Sequence, residues 1–265
     1  VSTLDLYYRS YGDPRPDRPV LVLLHGLLGS SANWHSIARG LAVGRWVLVP
    51  DLRDHGRSPH SETIGYPEMA ADLARLLDRL DLEQVTLIGH SMGAKVAMWH
   101  ALHAPERVDR LVAVDMAPTA YPNRLQRIWA ALESLPVEDI TSRAEADAFL
   151  ARSVDSPAVR QYLLQNLESR EGRWSWRMNL AGLLRHVPEL MGFPEPSPGR
   201  QFTGPALFLY GGSSDYVMPE HEAPIRRLFP YARCRVVPGA GHWVYADRPK
   251  AFLAALDAFL ASGSQ

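Results

Sequence analysis

The chain has 265 residues and 46% hydrophobic content, enough for one large core of the α/β size class, which argues against a disordered segment. Its 28 basic and 29 acidic residues are interspersed and leave a formal charge of −1, so no basic face addresses nucleic acid or a membrane surface. A single cysteine, Cys234, excludes an internal disulfide framework and a cysteine-based metal site. No signal peptide is read at the start and no apolar run reaches the roughly 20 residues of a membrane span, so a cytoplasmic protein is expected.

The first buried run, "VLVLLH" (20–25), is apolar at nearly every position, as in a strand covered on both faces. It runs into "HGLLGS" (25–30), a glycine-bearing strand exit. "WVLVP" (46–50) is a second such run and leads to "DLRDHGRS" (51–58), where Asp51 and Asp54 are read as shaping their loop. "YPEMAADLARLLDRL" (66–80) aligns Met69, Leu73, Leu76, Leu77 and Leu80 on one helical stripe and leaves Asp72 and Asp78 on the exposed face.

"QVTLIG" (84–89) is the third buried run. After it, "GHSMG" (89–93) joins strand to helix, and its glycines permit the sharp turn that projects the Ser91 hydroxyl above a sheet. Ser91 is therefore the candidate nucleophile, with His90 as packing or support. The helix that follows contains Lys95, which with Lys250 makes up all the lysine in a chain otherwise using arginine. "RLVAVD" (110–115) is a fourth run and ends on Asp115.

Strand signals then stop between about 119 and 203. "NRLQRIWAALESL" (123–135) has helical spacing, "SRAE" (142–145) reads as a capping box, and "GFPEPSPG" (192–199) is a proline-rich connector. Residues 119–203 are expected to be an inserted helical lid, and 1–118 with 204–265 the core. The sheet pattern resumes in "PALFLYG" (205–211) and "CRVVPG" (234–239), and "PKAFLAALDAFLA" (249–261) closes the chain as a helix. Strands alternating with helices imply a mainly parallel sheet with right-handed crossovers.

A serine nucleophile needs a base and oxyanion donors. His242, in the glycine-flanked "GAGHWVYADRP" (239–249) after the last strand, is the candidate base. The backbone N–H groups of Leu27 and Met92, at two strand ends, are the candidate oxyanion donors. No HExxH or other paired-ligand spacing suggests metal. Trp129, Trp174, Trp176 and Met178 are candidate linings of an acyl pocket, with plain core packing as the competing reading.

"HGLLGS", "DLRDHGRS", "GHSMG" and "GAGHW", in this order, resemble the α/β-hydrolases over nearly the whole chain. "DMAPTAY" (115–121), with "GGSSDYV" (211–217) and "GAGHWVYADRP", is similar to their YbfF-type serine esterase branch. The resemblance implies an α/β-hydrolase fold and hydrolysis of carboxylic esters, or acyl thioesters, of small to medium acyl groups through an acyl-enzyme, without a cofactor. It also implies a small-molecule substrate as partner, and a monomer or small homo-oligomer is expected. Many members follow the penultimate strand with GxxDxxV, which here places Ser214 on the acid position and Asp215 one residue late. In YbfF-type relatives the acid comes from the segment matching Asp115, with a serine where Ser214 stands. Asp115 is thus the expected acid, Ser214 its support and Asp215 the alternative acid. A cofactor-free C–C hydrolase or perhydrolase, or a slow-turnover ligand-binding protein of the same fold, is the competing function.

Overall fold

The computed structural model describes residues 2–262. The core is a seven-stranded sheet, in spatial order β1-β3-β2-β4-β5-β8-β9. Its strands are β1 (Tyr8–Tyr11), β2 (Val20–Leu24), β3 (Val47–Pro50), β4 (Val85–His90), β5 (Val108–Val114), β8 (Ala206–Gly211) and β9 (Arg233–Val237). All neighbours pair in parallel except β1, which runs antiparallel to β3 along the edge. β1 was not anticipated because "YRSY" is short and only partly buried, so it lacks the apolar run that announces a covered strand.

Side-chain alternation divides β2 between two cores. Val20, Val22 and Leu24 pack on the face covered by α2 (Tyr66–Arg79) and α3 (Met92–His103), whereas Leu21 and Leu23 pack with α1 (His35–Leu41) and α11 (Pro249–Ala261) on the other. Because both faces are buried, the strand reads as continuous hydrophobic sequence rather than alternating. α9 (Glu222–Leu228) and α10 (Val244–Asp247) complete the core helices.

Between β5 and β8 the chain forms α4 (Gln126–Ser134), α5 (Arg143–Leu150), α6 (Pro157–Leu164), α7 (Leu180–Arg185) and α8 (Val187–Met191). It also forms a hairpin, β6 (Leu167–Arg170) against β7 (Arg173–Trp176). An all-helical segment was expected; the hairpin went unseen because its strands are largely exposed. Its two-residue turn, Glu171-Gly172, has φ of 51° and 79°, the twist-matched geometry more readily recognised as Asn-Gly or Asp-Gly. The capping box at 142–145 is half formed. Ser142 caps the Glu145 N–H, but the Glu145 carboxylate accepts from Thr141 rather than from Ser142.

One assignment on α2 is overturned. Asp72 does not face solvent: it is fully buried, accepts from Arg53 Nε at 2.7 Å and Nη2 at 2.8 Å, and accepts from Leu4 N–H at 2.7 Å. A buried bidentate pair with the remaining lone pairs satisfied is the form in which such charges are tolerated inside a protein. Asp78 is exposed, as expected.

Candidate active site

The carboxyl ends of β2, β4, β5 and β8 converge on one side of the sheet, where open α/β folds bind ligands. At the end of β4, Ser91 has φ 52° and ψ −119°, a sparsely populated conformation for a residue with a side chain. The flanking glycines make this turn possible by close approach. A Cβ on Gly89 would lie 2.2 Å from the Gly93 carbonyl oxygen, and one on Gly93 would lie 2.4 Å from the Leu24 carbonyl oxygen. The turn therefore packs on itself and on the end of β2, and it aims Ser91 away from the sheet.

Asp115 follows β5 and also holds a positive φ, 52°. Its side chain is fully buried, with every oxygen engaged. Oδ1 accepts from Gly211 N–H at 2.9 Å, and Oδ2 accepts from the Ser214 hydroxyl at 2.5 Å and from His242 Nδ1 at 2.7 Å. The Nδ1–H tautomer of His242 follows, leaving Nε2 as the ring's free base. His242 is also held by its neighbours. Tyr216 stacks on its ring at 3.9 Å, and the Nε2–H of buried His90 donates to its backbone carbonyl at 2.9 Å. His90 is kept neutral by burial, with the nearby His242 as a lesser cause. Its placement is the supporting one expected from the sequence.

Asp215 lies elsewhere. Its side chain is 69% exposed and pairs with Arg124 Nη1 at 2.5 Å. One residue of register separates a carboxylate aimed at Arg124 from the Ser214 hydroxyl aimed at Asp115.

Ser91, His242, Leu27 and Met92 line one cavity of about 220 Å³. No hydrogen bond joins Ser91 Oγ to His242 among the described residues; such contacts commonly tighten only when substrate is bound. The N–H groups of Leu27 and Met92 likewise donate to no protein acceptor among the described residues, as oxyanion donors require. The loop carrying Leu27 is braced by two histidines that the sequence reading did not single out. His25 Nδ1 donates to the Gly26 carbonyl while its Nε2 accepts from Leu52 N–H, and His55 Nε2 accepts from Leu28 N–H at 3.1 Å. Burial lowers the pKa of both, that of His55 to about 3, and so keeps the neutral acceptor form. Asp51 and Asp54 shape the adjoining loop, as expected: Asp51 accepts from Ser31 and Arg57 N–H, and Asp54 from Ser61 N–H.

The expected acyl-pocket residues are not at the cavity. Trp129 and Met178 are buried in the hydrophobic core, and Trp174, on the exposed hairpin, lies under the Arg143 guanidinium at 5.8 Å, with Trp176 on the same strand packed against the core. For Trp129 the helical stripe of α4 explains the difference. Trp129 points to the core, while Leu125 and Ile128 point to the cavity, joined by Val159, Tyr162 and Leu163 of α6. A heptad-like stripe shows that a helix has an apolar face and not which neighbour each side chain meets.

A mainly parallel sheet carrying this turn, histidine and carboxylate at its ligand-binding edge defines an α/β hydrolase, and the family model for the alpha/beta hydrolase fold matches residues 19–249. The chain belongs to that family. It is 43% identical to the sn-1-specific diacylglycerol lipase ABHD11 of Mus musculus, over 92% of this chain and 81% of the relative. It is 38% identical to the esterase YbfF of Escherichia coli (strain K12), over 91% of this chain and 92% of the relative. Among solved structures it is similar to a marine microorganism esterase, with a TM-score of 0.93 and 36% identity, covering 97% of this chain and all of the other.

Proposed function

We propose that the protein is a serine ester hydrolase working through an acyl-enzyme. The observation that carries this reading is the alignment of a buried Asp115 carboxylate, His242 Nδ1 at 2.7 Å and the strained Ser91 turn around one cavity. In this reading Ser91 Oγ attacks the acyl carbonyl carbon as His242 Nε2 takes its proton. Asp115 fixes the tautomer and stabilises the imidazolium that forms. The negative charge on the carbonyl oxygen is received by the N–H groups of Leu27 and Met92. Collapse of the intermediate expels the alcohol, which takes the proton from His242, and water then repeats the sequence on the acyl-enzyme and returns free Ser91 with a carboxylic acid.

Residues 119–203 act as the lid over this site, and their apolar side chains Leu125, Ile128, Val159 and Leu163 form the acyl pocket. A lining of this kind suits small to medium acyl groups, as esters or thioesters. Two relatives named an esterase and a diacylglycerol lipase support ester substrates as the class. Labelling with a fluorophosphonate tests the mechanism. Ser91 is expected to be the labelled residue, and Ser91→Ala to lose both labelling and turnover of an aryl ester; full activity in that variant would exclude it as nucleophile.

A further inference from the structure

The cavity wall carries two cationic side chains that the reaction does not use, Lys95 and Arg124, and of these only Lys95 is buried. Lys95 sits one helical turn beyond Ser91 on α3, so its side chain rises along the same helix face and lines the cavity while only 2% of it is exposed. Its Nζ donates to the carbonyls of Met191 at 3.0 Å and Gly192 at 2.7 Å, and lies 4.9 Å from the Tyr121 ring centroid and 5.5 Å from that of Tyr66. Among the described residues no carboxylate pairs with it. An ammonium has three donors, so one N–H is left over.

The three tyrosine hydroxyls nearest this lysine, or reaching across the cavity wall, are already committed to backbone carbonyls, whereas Tyr216 and Trp243 line the wall with neutral groups. Tyr66 Oη donates to the Leu190 carbonyl, Tyr121 Oη to the Tyr216 carbonyl and Tyr162 Oη to the Leu27 carbonyl. The Arg124 guanidinium differs from Lys95 in being 42% exposed and in having a carboxylate partner, Asp215, on Nη1. The rest of the wall is largely aliphatic. An unpaired ammonium in such surroundings is costly, and burial lowers the Lys95 pKa to about 7. An anionic group entering the cavity would complete the donor set and supply the missing charge.

We infer that Lys95 is a specificity-determining residue that receives a carboxylate borne by the acyl group of the substrate, about one helical turn deeper than the carbonyl attacked by Ser91. This rests on the esterase reading above. The substrate class is then a half-ester of a short dicarboxylic acid, in which one carboxyl is esterified and the other is free. Ordinary aliphatic esters fit the same pocket without using the lysine's third donor. The competing role for Lys95 is structural: its two carbonyl acceptors lie at the C-terminal end of α8, where a cation caps a helix.

The experiment compares an aryl hemiglutarate with the uncharged ester in which an isopropyl group replaces the free carboxylate. In the wild-type enzyme the hemiglutarate is expected to be hydrolysed with kcat/KM within tenfold of the isostere; exclusion by more than a hundredfold overturns the inference without any variant being made. Lys95→Met, and Lys95→Gln if the first does not fold, should lower the hemiglutarate-to-isostere ratio at least tenfold. An equal loss on both esters would assign Lys95 to capping alone and overturn it. Hydrolysis of neither ester by the wild type would count against the esterase reading instead. Lys95 is then decided by binding: hemiglutarate affinity measured calorimetrically on Ser91→Ala should fall at least tenfold when Lys95→Met is added, and unchanged affinity overturns the inference.

Discussion

His242 Nδ1 lies 2.7 Å from Asp115 Oδ2 across 127 residues of sequence, and the same carboxylate oxygen accepts the Ser214 hydroxyl at 2.5 Å. Replacing Asp115 by Asn removes the charge and allows the wrong histidine tautomer, a change that costs on the order of 10⁴ in turnover in a Ser-His-Asp site of known mechanism. Asp115→Asn is therefore expected to lose three to four orders of magnitude in kcat, on the order of 10³ to 10⁴. Asp215→Asn breaks only an exposed ion pair with Arg124 and should stay within about tenfold. Ser214→Ala should fall between them, since it removes one hydrogen bond to Asp115 and leaves the charge. Steady-state kinetics on the three folded variants check the order; a crippled Asp215→Asn beside a near-normal Asp115→Asn reverses the assignment.

Tyr162 of α6 reaches across to the loop after β2, where its hydroxyl donates to the Leu27 carbonyl at 2.9 Å. Asn166 does the same for the Leu28 carbonyl at 2.7 Å. The orientation of the Leu27 peptides, and with it the proposed oxyanion donor, thus depends on the inserted segment. Tyr162→Phe should lower kcat about tenfold, equivalent to about 1.4 kcal/mol, while changing KM little. A rise in KM with unchanged kcat would place Tyr162 in substrate binding instead.

Acyl-chain preference should follow α4 and α6, and not the tryptophans of the hairpin. Ile128→Trp fills cavity space, so the optimum on a series of aryl esters is expected to move to shorter acyl chains. Trp174→Ala, at a position away from the cavity, should leave the optimum in place. A shift caused by Trp174→Ala and none by Ile128→Trp would move the pocket to the hairpin.

Acid should destabilise the fold through its buried histidines before the carboxylates titrate. His55 has its pKa lowered by burial to about 3, and His100, also mainly by burial, to about 4. In the unfolded chain both return to about 6.5, so below that value the unfolded state binds more protons than the native one. Their contribution is complete above about pH 6.5 and declines as pH falls toward the folded values, by on the order of 2 kcal/mol per group at pH 5. Most carboxylates remain ionised at that pH. Urea denaturation at pH 7 and pH 5 measures the difference, and equal stability at the two would show that these rings are not held neutral.

The local requirements of the chemistry were legible in the sequence because each concerns neighbours along the chain. "GHSMG" states its own geometry, since Gly89 and Gly93 must touch across Ser91 for the turn to form. The covered strands 20–25, 84–89 and 205–211 announce themselves because a strand buried on both faces has no polar position to alternate with. β1 and the β6-β7 hairpin were hidden for the converse reason, being half-exposed strands stabilised by a partner and a turn rather than by their own hydrophobicity. Which carboxylate meets His242, which apolar residues face the cavity and why Asp72 is buried with Arg53 were decided only by tertiary structure. Each depends on side chains far apart in sequence, and on which way a side chain turns at the end of a strand. Asp115 and Asp215 have the same chemistry. They differ because a buried strand end holds one against Gly211, Ser214 and His242, while an exposed loop hands the other to Arg124.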